Sequence, residues 1–163
     1  MPVTRLFFKY WLPIVIWMLV IFSASGDRES FERSSRIIGP ILHWLMPNLP
    51  AHRVNQIVTL ARKGAHLTEY AVLAILFWRA TRPLVKTEAK VWNWKLAFAS
   101  VAFVALYAGT DEFHQTLVPG RQGSVRDVLI DTTGAIGGMI FLWLLWKWRY
   151  GRQSKVELPA SSS

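Results

Sequence analysis

Four apolar runs divide the chain. Residues 10–24 (YWLPIVIWMLVIFSA) carry no charge, 65–78 (AHLTEYAVLAILFW) contain His66 and Glu69, 96–108 (LAFASVAFVALYA) carry no charge, and 128–146 (VLIDTTGAIGGMIFLWLLW) contain Asp131 alone. A helix needs about 20 residues to cross a hydrocarbon core of about 30 Å. The first, third and fourth runs reach that length with their flanks. The second reaches it when 61–64 join it, because 61–78 as a helix is about 27 Å long, enough with slight thinning of the bilayer. A re-entrant segment is the alternative there. The pattern predicts an all-α integral membrane bundle of four transmembrane helices.

The first loop is more than a linker. Residues 37–46 (IIGPILHWLM) are apolar, too short to cross, and interrupted at Gly39-Pro40. They read as an interfacial amphipathic segment on the outer surface, with His43 and His52 beside the interface. Residues 1–150 form one transmembrane domain in this reading. Residues 151–163 form a polar tail ending in Ala-Ser-Ser-Ser, expected to be disordered. No internal repeat is present.

Composition sharpens the picture. Hydrophobic residues make up 52% of the 163, against about 45–50% in soluble chains, and Trp numbers 9. The chain is too apolar to be mainly disordered. With no Cys, disulfides and cysteine-held zinc or iron–sulfur centres are excluded. Lys and Arg exceed Asp and Glu by 9 charges, and their placement decides what that means. Arg5, Lys9, Arg62, Lys63, Arg79, Arg82, Lys95, Lys147 and Arg149 bracket the apolar runs. A nucleic-acid surface would need them on one soluble face, so the expected partner is the lipid bilayer and no nucleic acid.

The basic loop at 79–95 and the basic tail put both termini in the cytoplasm of a bacterial inner membrane, as the bias of short loops toward positive charge inside requires. The basic first loop works against this assignment. Trp11, Trp78, Trp92, Trp94, Trp146 and Trp148 would then sit at the inner interface. The start also resembles a cleaved signal, with Arg5 and Lys9 before the apolar stretch and Ser23-Ala24-Ser25 after it. Pro13, Trp17 and the three later runs favour an uncleaved anchor.

Adjacent spans alternate direction, so the start of the second, the end of the third and the start of the fourth share one side of the membrane. Those places hold nearly all the polar candidates. Lys63, His66 and Tyr70 are spaced i, i+3, i+7 on one helical face, with Glu69 at its border. Asp111, Glu112 and Gln115 end the third run, and the turn at 118–123 carries Arg121. Ser124 reads as a helix cap rather than a nucleophile, and Asp127 sits in the first turn, where a carboxylate suits the helix dipole. Asp127, Asp131, Gly134 and Gly138 then form a stripe whose G-x-x-x-G end lets another helix approach closely.

Ionisable groups in a bilayer face the bundle interior or a water-filled cavity, and they mark function by default. Five acids (Glu69, Asp111, Glu112, Asp127, Asp131) oppose the bases Arg62, Lys63, Arg121 and Arg126. That near balance also suits a purely structural salt-bridge network, and this alternative stays open. As a pocket, the group offers Arg121 to a phosphate or carboxylate, and His66 with Glu69 or Asp111 to a proton. His66, His114, Glu69, Asp111 and Glu112 are of metal-binding type, but no tight ligand spacing joins them, so neither metal nor cofactor is assigned.

These residues resemble the VanZ-like membrane proteins. Lys63-Gly64-Ala65-His66-Leu67-Thr68-Glu69-Tyr70 is similar to a first signature of that family. Thr110-Asp111-Glu112-Phe113-His114-Gln115, then Val118-Pro119-Gly120-Arg121, Ser124, Asp127 and Gly134, is similar to a second. The combination K-x-x-H-x-x-x-Y with D-E-x-x-Q-x-x-x-P-G-R spans residues 23–142 with its flanks. Carried over residue by residue, the resemblance marks Lys63, His66, Tyr70, Asp111, Glu112, Gln115, Arg121 and Asp127. Asp131 departs from it, standing where Asn is expected. The resemblance implies a small bacterial multi-spanning protein, with a family label of teicoplanin resistance and no established catalysis.

The expected function is therefore that of a non-enzymatic envelope protein. It engages an anionic or glycan-bearing amphiphile, such as a cell-wall precursor, or lowers the access of a glycopeptide to its target. Arg121 and Lys63 would bind the anion, while His66, Asp111, Glu112, Gln115 and Asp127 orient them. Two rivals stand beside it: a membrane hydrolase or transferase acting on a lipid-linked substrate, and an assembly partner binding another protein through the Asp127–Gly134 stripe. Four short spans make a thin core, so a second copy of the chain is a candidate partner.

Overall fold

The structure, a computed structural model, describes residues 5, 7–25, 30–85, 91–118 and 123–151, without the side chains of 25, 30–35 and 151. The expected tail beyond 151, the reversal at 119–122 and Arg121 itself lie outside the described residues. Among the described residues the chain forms five α-helices and no strand.

A π-helical turn at Phe7–Trp11 leads into α1, Leu12–Ser25. Pro13 lies in the first turn of α1, where its missing N–H costs least, and the wider π turn sits just ahead of it. Helix α2, Ser30–Leu45, runs straight through the expected interruption at Gly39-Pro40. A side chain before proline resists helical geometry through its Cβ, and Gly39 has none, so the helix continues. Ile37, Ile41, Trp44 and Leu45 of α2 are exposed.

Helix α3, Ala51–Thr81, is the main departure from the expected pattern. Its 31 residues make it about 46 Å long, and it begins well before the apolar run at 65. Apolar runs mark what a bilayer would accept. Helical hydrogen bonding does not require them, and no proline interrupts the chain between Pro50 and Pro83. A 3₁₀ turn at Arg82–Leu84 closes it. Helix α4, Trp94–Leu117, starts at Asn93, whose side chain accepts the Leu96 N–H at 3.1 Å. It ends at Val118, pushed into extended geometry by the proline that follows. Helix α5, Val125–Gly151, starts where the Ser124 carbonyl accepts the Asp127 and Val128 N–H groups.

Among the described residues, three helical segments are by length and composition able to cross a membrane: Phe7–Ala24, Trp94–Leu117 and Val125–Tyr150. Helix α3 falls outside that set, because Arg62, Lys63, His66 and Glu69 dilute its apolar half. It is nevertheless the centre of the bundle. It packs on α1, α2, α4 and α5, most extensively on α5. A Cβ at Gly134 would stand 2.9 Å from Leu67 Cα, and one at Gly138 2.7 Å from the Ala71 carbonyl oxygen. The two helices therefore rise together, parallel and with backbones nearly touching. Leu73, Ala74, Val104, Ala108, Ala135 and Met139 fill the interior. Helix α1 is pinned by two long-range hydrogen bonds, Trp17 Nε1 to the Glu69 carbonyl at 2.8 Å and Tyr107 Oη to the Met18 carbonyl at 2.7 Å.

Large apolar side chains point outward along the candidate spans, among them Leu19, Phe98, Leu106, Ile140 and Phe141. Asp111, Glu112, Gln115 and Asp131 are buried instead. Apolar outside with polar groups enclosed is the distribution a lipid solvent favours.

Candidate functional site

Helical spacing builds a cavity of about 160 Å³ at one end of the bundle. Helix α3 contributes Thr59, Arg62, Lys63 and His66, at i, i+3, i+4 and i+7 on one face. Helix α5 contributes Asp127, Ile130 and Asp131, again one face, and α4 contributes Glu112 and Gln115. One wall is thus basic and the other two are acidic.

The acidic walls are tied together. Gln115 Nε2 donates to Asp111 Oδ2 at 3.1 Å and to Glu112 Oε1 at 2.9 Å. Glu112 Oε2 accepts the Ser124 N–H at 2.8 Å, which anchors the start of α5 to the end of α4. Gly123 makes that approach possible, since a Cβ there would meet the Glu112 carbonyl and come 2.7 Å from Thr116 Cγ2. Beneath the cavity, Tyr70 Oη donates to Asp111 Oδ2 at 3.4 Å. The Tyr70 ring lies between those of His66 and Tyr107, at 6.5 and 6.3 Å.

His66 faces Asp131 across the α3–α5 contact, with Nδ1 3.7 Å from Oδ1. Asp131 is only 2% exposed, and its Oδ2 has no hydrogen-bond partner among the described residues. A carboxylate so enclosed depends on neighbouring cations and donors for its charge to persist. His66, Lys63 and Arg62 are the cationic or ionisable nitrogen side chains on the same cavity wall.

Of the residues expected from sequence, Lys63, His66, Glu112, Gln115, Asp127 and Asp131 line the cavity, and Tyr70 and Asp111 lie directly below it. Glu69 stands apart: its carbonyl serves the α1 contact, and its side chain is not part of the lining. Arg121 is outside the described residues. Gly134 and Gly138 lie deeper, covered by α3 of the same chain. His114 turns to α1, its ring 4.3 Å from that of Phe22. No three acidic or histidine side chains among the described residues are grouped to share a metal ion.

Sequence reasoning counted Arg62 among the bases of the cluster but left it out of the binding set, and it did not single out Thr59 or Ile130. Arg62 was legible, because it stands four residues before His66 and so shares its face. Thr59 was hidden by starting the helix at the apolar run. Ile130 carries no chemistry that would single it out.

Residues 8–147 match the family model VanZ/LLP1. No curated protein matches the chain, and no solved structure does. The matched span takes in all of α3 and α4 and every residue that lines the cavity, far more than half of the sequence. By that match the chain is a member of the VanZ/LLP1 family.

Proposed function

We propose that this membrane protein binds the polar head of an anionic, hydroxyl-rich amphiphile in the cavity between α3, α4 and α5. The observation that carries the reading is the two-sided lining. Arg62 and Lys63 on α3 suit a phosphate or carboxylate, and Glu112, Asp127 and Asp131 opposite them suit the hydroxyls of a glycan. A volume of about 160 Å³ is below the range of about 300–1,000 Å³ that encloses drug-sized ligands, so a head group fits and the rest of the amphiphile lies outside. In this reading α3 is a fourth span, supported by its packing against α5 through Leu67 and Ala71. Helix α2, with its exposed Ile37, Ile41 and Trp44, lies in the interface beside the cavity mouth. The cavity faces the envelope side of a bacterial inner membrane and both termini are cytoplasmic. If the amphiphile is a cell-wall precursor, its capture lowers the access of a glycopeptide such as teicoplanin to its target.

Glucose 6-phosphate is a suitable probe, a phosphate monoester with many hydroxyls and no lipid tail. Saturation-transfer NMR on the purified protein is expected to show saturable binding. Lys63→Gln should weaken it about tenfold, and Arg62→Gln with Lys63→Gln about a hundredfold, since each charged hydrogen bond contributes about 1.5–3 kcal/mol. Absence of saturable binding, or equal binding by the double variant, would sink the reading. The orientation has its own test, because the chain lacks Cys. With Ser124→Cys and, separately, Glu88→Cys, a membrane-impermeant thiol reagent should label intact cells at position 124 and not at 88. The reverse result places the cavity in the cytoplasm.

A second reading rests on the His66–Asp131 pair. A histidine oriented by a buried carboxylate, beside two cations, has the parts of a general base acting on an ester of the bound amphiphile. Turnover lost in His66→Gln with binding retained would favour this enzyme over the simple binder. An assembly role would need a surface other than the Gly134 stripe, which α3 already covers.

A further inference from the structure

We infer that the end of the bundle remote from the cavity is a docking surface for anionic phospholipid headgroups. There the start of α1, the end of α3, the start of α4 and the end of α5 come together. Trp92 stacks on Trp78 at 5.3 Å between ring centroids and lies 6.1 Å from Trp146. Around this aromatic core stand cations held over rings rather than beside carboxylates. Lys9 and Arg79 lie 5.2 and 5.7 Å from the Tyr10 ring, Lys147 lies 5.3 Å from Trp143, and Arg149 lies 6.0 Å from Tyr150.

A ring face attracts a cation through its quadrupole but brings no charge to cancel it. Described residues 5–14, 76–85, 91–98 and 141–151 contain no Asp or Glu. Asp111, Glu112, Asp127 and Asp131 are gathered in and beside the cavity instead. Among the described residues, the charges of Lys9, Arg79, Lys147 and Arg149 are thus ordered over rings, and these stretches bring no carboxylate to them. Trp94 and Trp148, each more than 60% exposed, add the amphipathic rings that settle at headgroup level. A phosphodiester headgroup with net negative charge complements this surface. A zwitterionic headgroup carries its own cation and gains less. Each basic residue at an anionic surface favours binding about fivefold.

The test uses the full chain in nanodiscs of equal phosphatidylglycerol and phosphatidylcholine, with retained lipids identified by native mass spectrometry. Phosphatidylglycerol should be enriched about tenfold over phosphatidylcholine, less so as salt rises. The variant Lys9→Gln, Arg79→Gln, Lys147→Gln should lose the enrichment, while Lys9→Arg, Arg79→Lys, Lys147→Arg should keep it. Arg62→Gln with Lys63→Gln, at the cavity, should also keep it, which separates this surface from the binding proposed above. If the triple neutralised variant does not fold, Lys147→Gln alone should lower the enrichment about fivefold. Equal retention of the two lipids by the parent, enrichment surviving neutralisation, or loss only in the cavity variant would overturn the inference. So would full displacement by inorganic phosphate, which would mark a site for free phosphate.

Discussion

Gly134→Ala is expected to lower stability by roughly 3 kcal/mol, the upper end for overpacking a filled interface. The added methyl would meet the Leu67 carbonyl oxygen and stand 2.9 Å from its Cα, and both are backbone atoms of a 31-residue helix that cannot step aside locally. The helices must separate, and with them Asp131 moves away from His66. At about 2–4 °C per kcal/mol for a chain of this size, the thermal midpoint should fall by about 6–12 °C. Gly137→Ala is the control, since nothing lies within 4 Å of a Cβ there. It should leave the midpoint unchanged or raise it, because Ala exceeds Gly in helix propensity by about 1 kcal/mol. Similar midpoints for the two variants would show that the parallel α3–α5 contact is not as close as described.

Glu112→Ala is the second large effect. Glu112 is buried, and its two oxygens accept from Gln115 and from the Ser124 backbone. Hydrogen bonds to a charged group contribute about 1.5–3 kcal/mol each, and the buried donors left behind lose their partner. A loss of roughly 2–4 kcal/mol is expected, with Glu112→Gln intermediate because one oxygen remains to accept. Thermal melts of Glu112→Ala, Gln115→Ala and the double variant should be non-additive, as contacting residues in one network are. Strict additivity would mean that Gln115 and Glu112 do not share the bond.

Hydropathy alone located α1, α4 and α5, because their lipid-compatible faces are long and nearly uncharged. It cut α3 short for the opposite reason: residues 51–64 are helical yet polar. The gathering of Lys63, His66, Asp111, Glu112, Gln115, Asp127 and Asp131 was legible from a topological argument, the alternation of direction between successive spans, and needed no distances. Which helix fills the Gly134–Gly138 notch was not legible, since a small-residue stripe states how close a neighbour can come and not which neighbour it is. Helical phase was resolved too coarsely to put Arg62 on the same face as His66. The continuity of α2 through Pro40 depended on Gly39, whose missing Cβ reverses the usual meaning of a proline.

The Asp127–Asp131 wall belongs to α5, while the basic wall of Arg62 and Lys63 belongs to α3, which emerges from the ribosome earlier. Chains are made from the N-terminus at about 5–20 residues per second, so for several seconds α3 and α4 exist without α5. During that interval the notch beside Leu67 and Ala71 lacks Gly134 and Gly138, and Asp127 and Asp131 do not yet stand opposite Arg62 and Lys63. The same helix, α5, supplies both the close backbone contact and the Asp127–Asp131 part of the acidic wall. The candidate site is thus a late product of biosynthesis, formed only once the bundle holding it is whole.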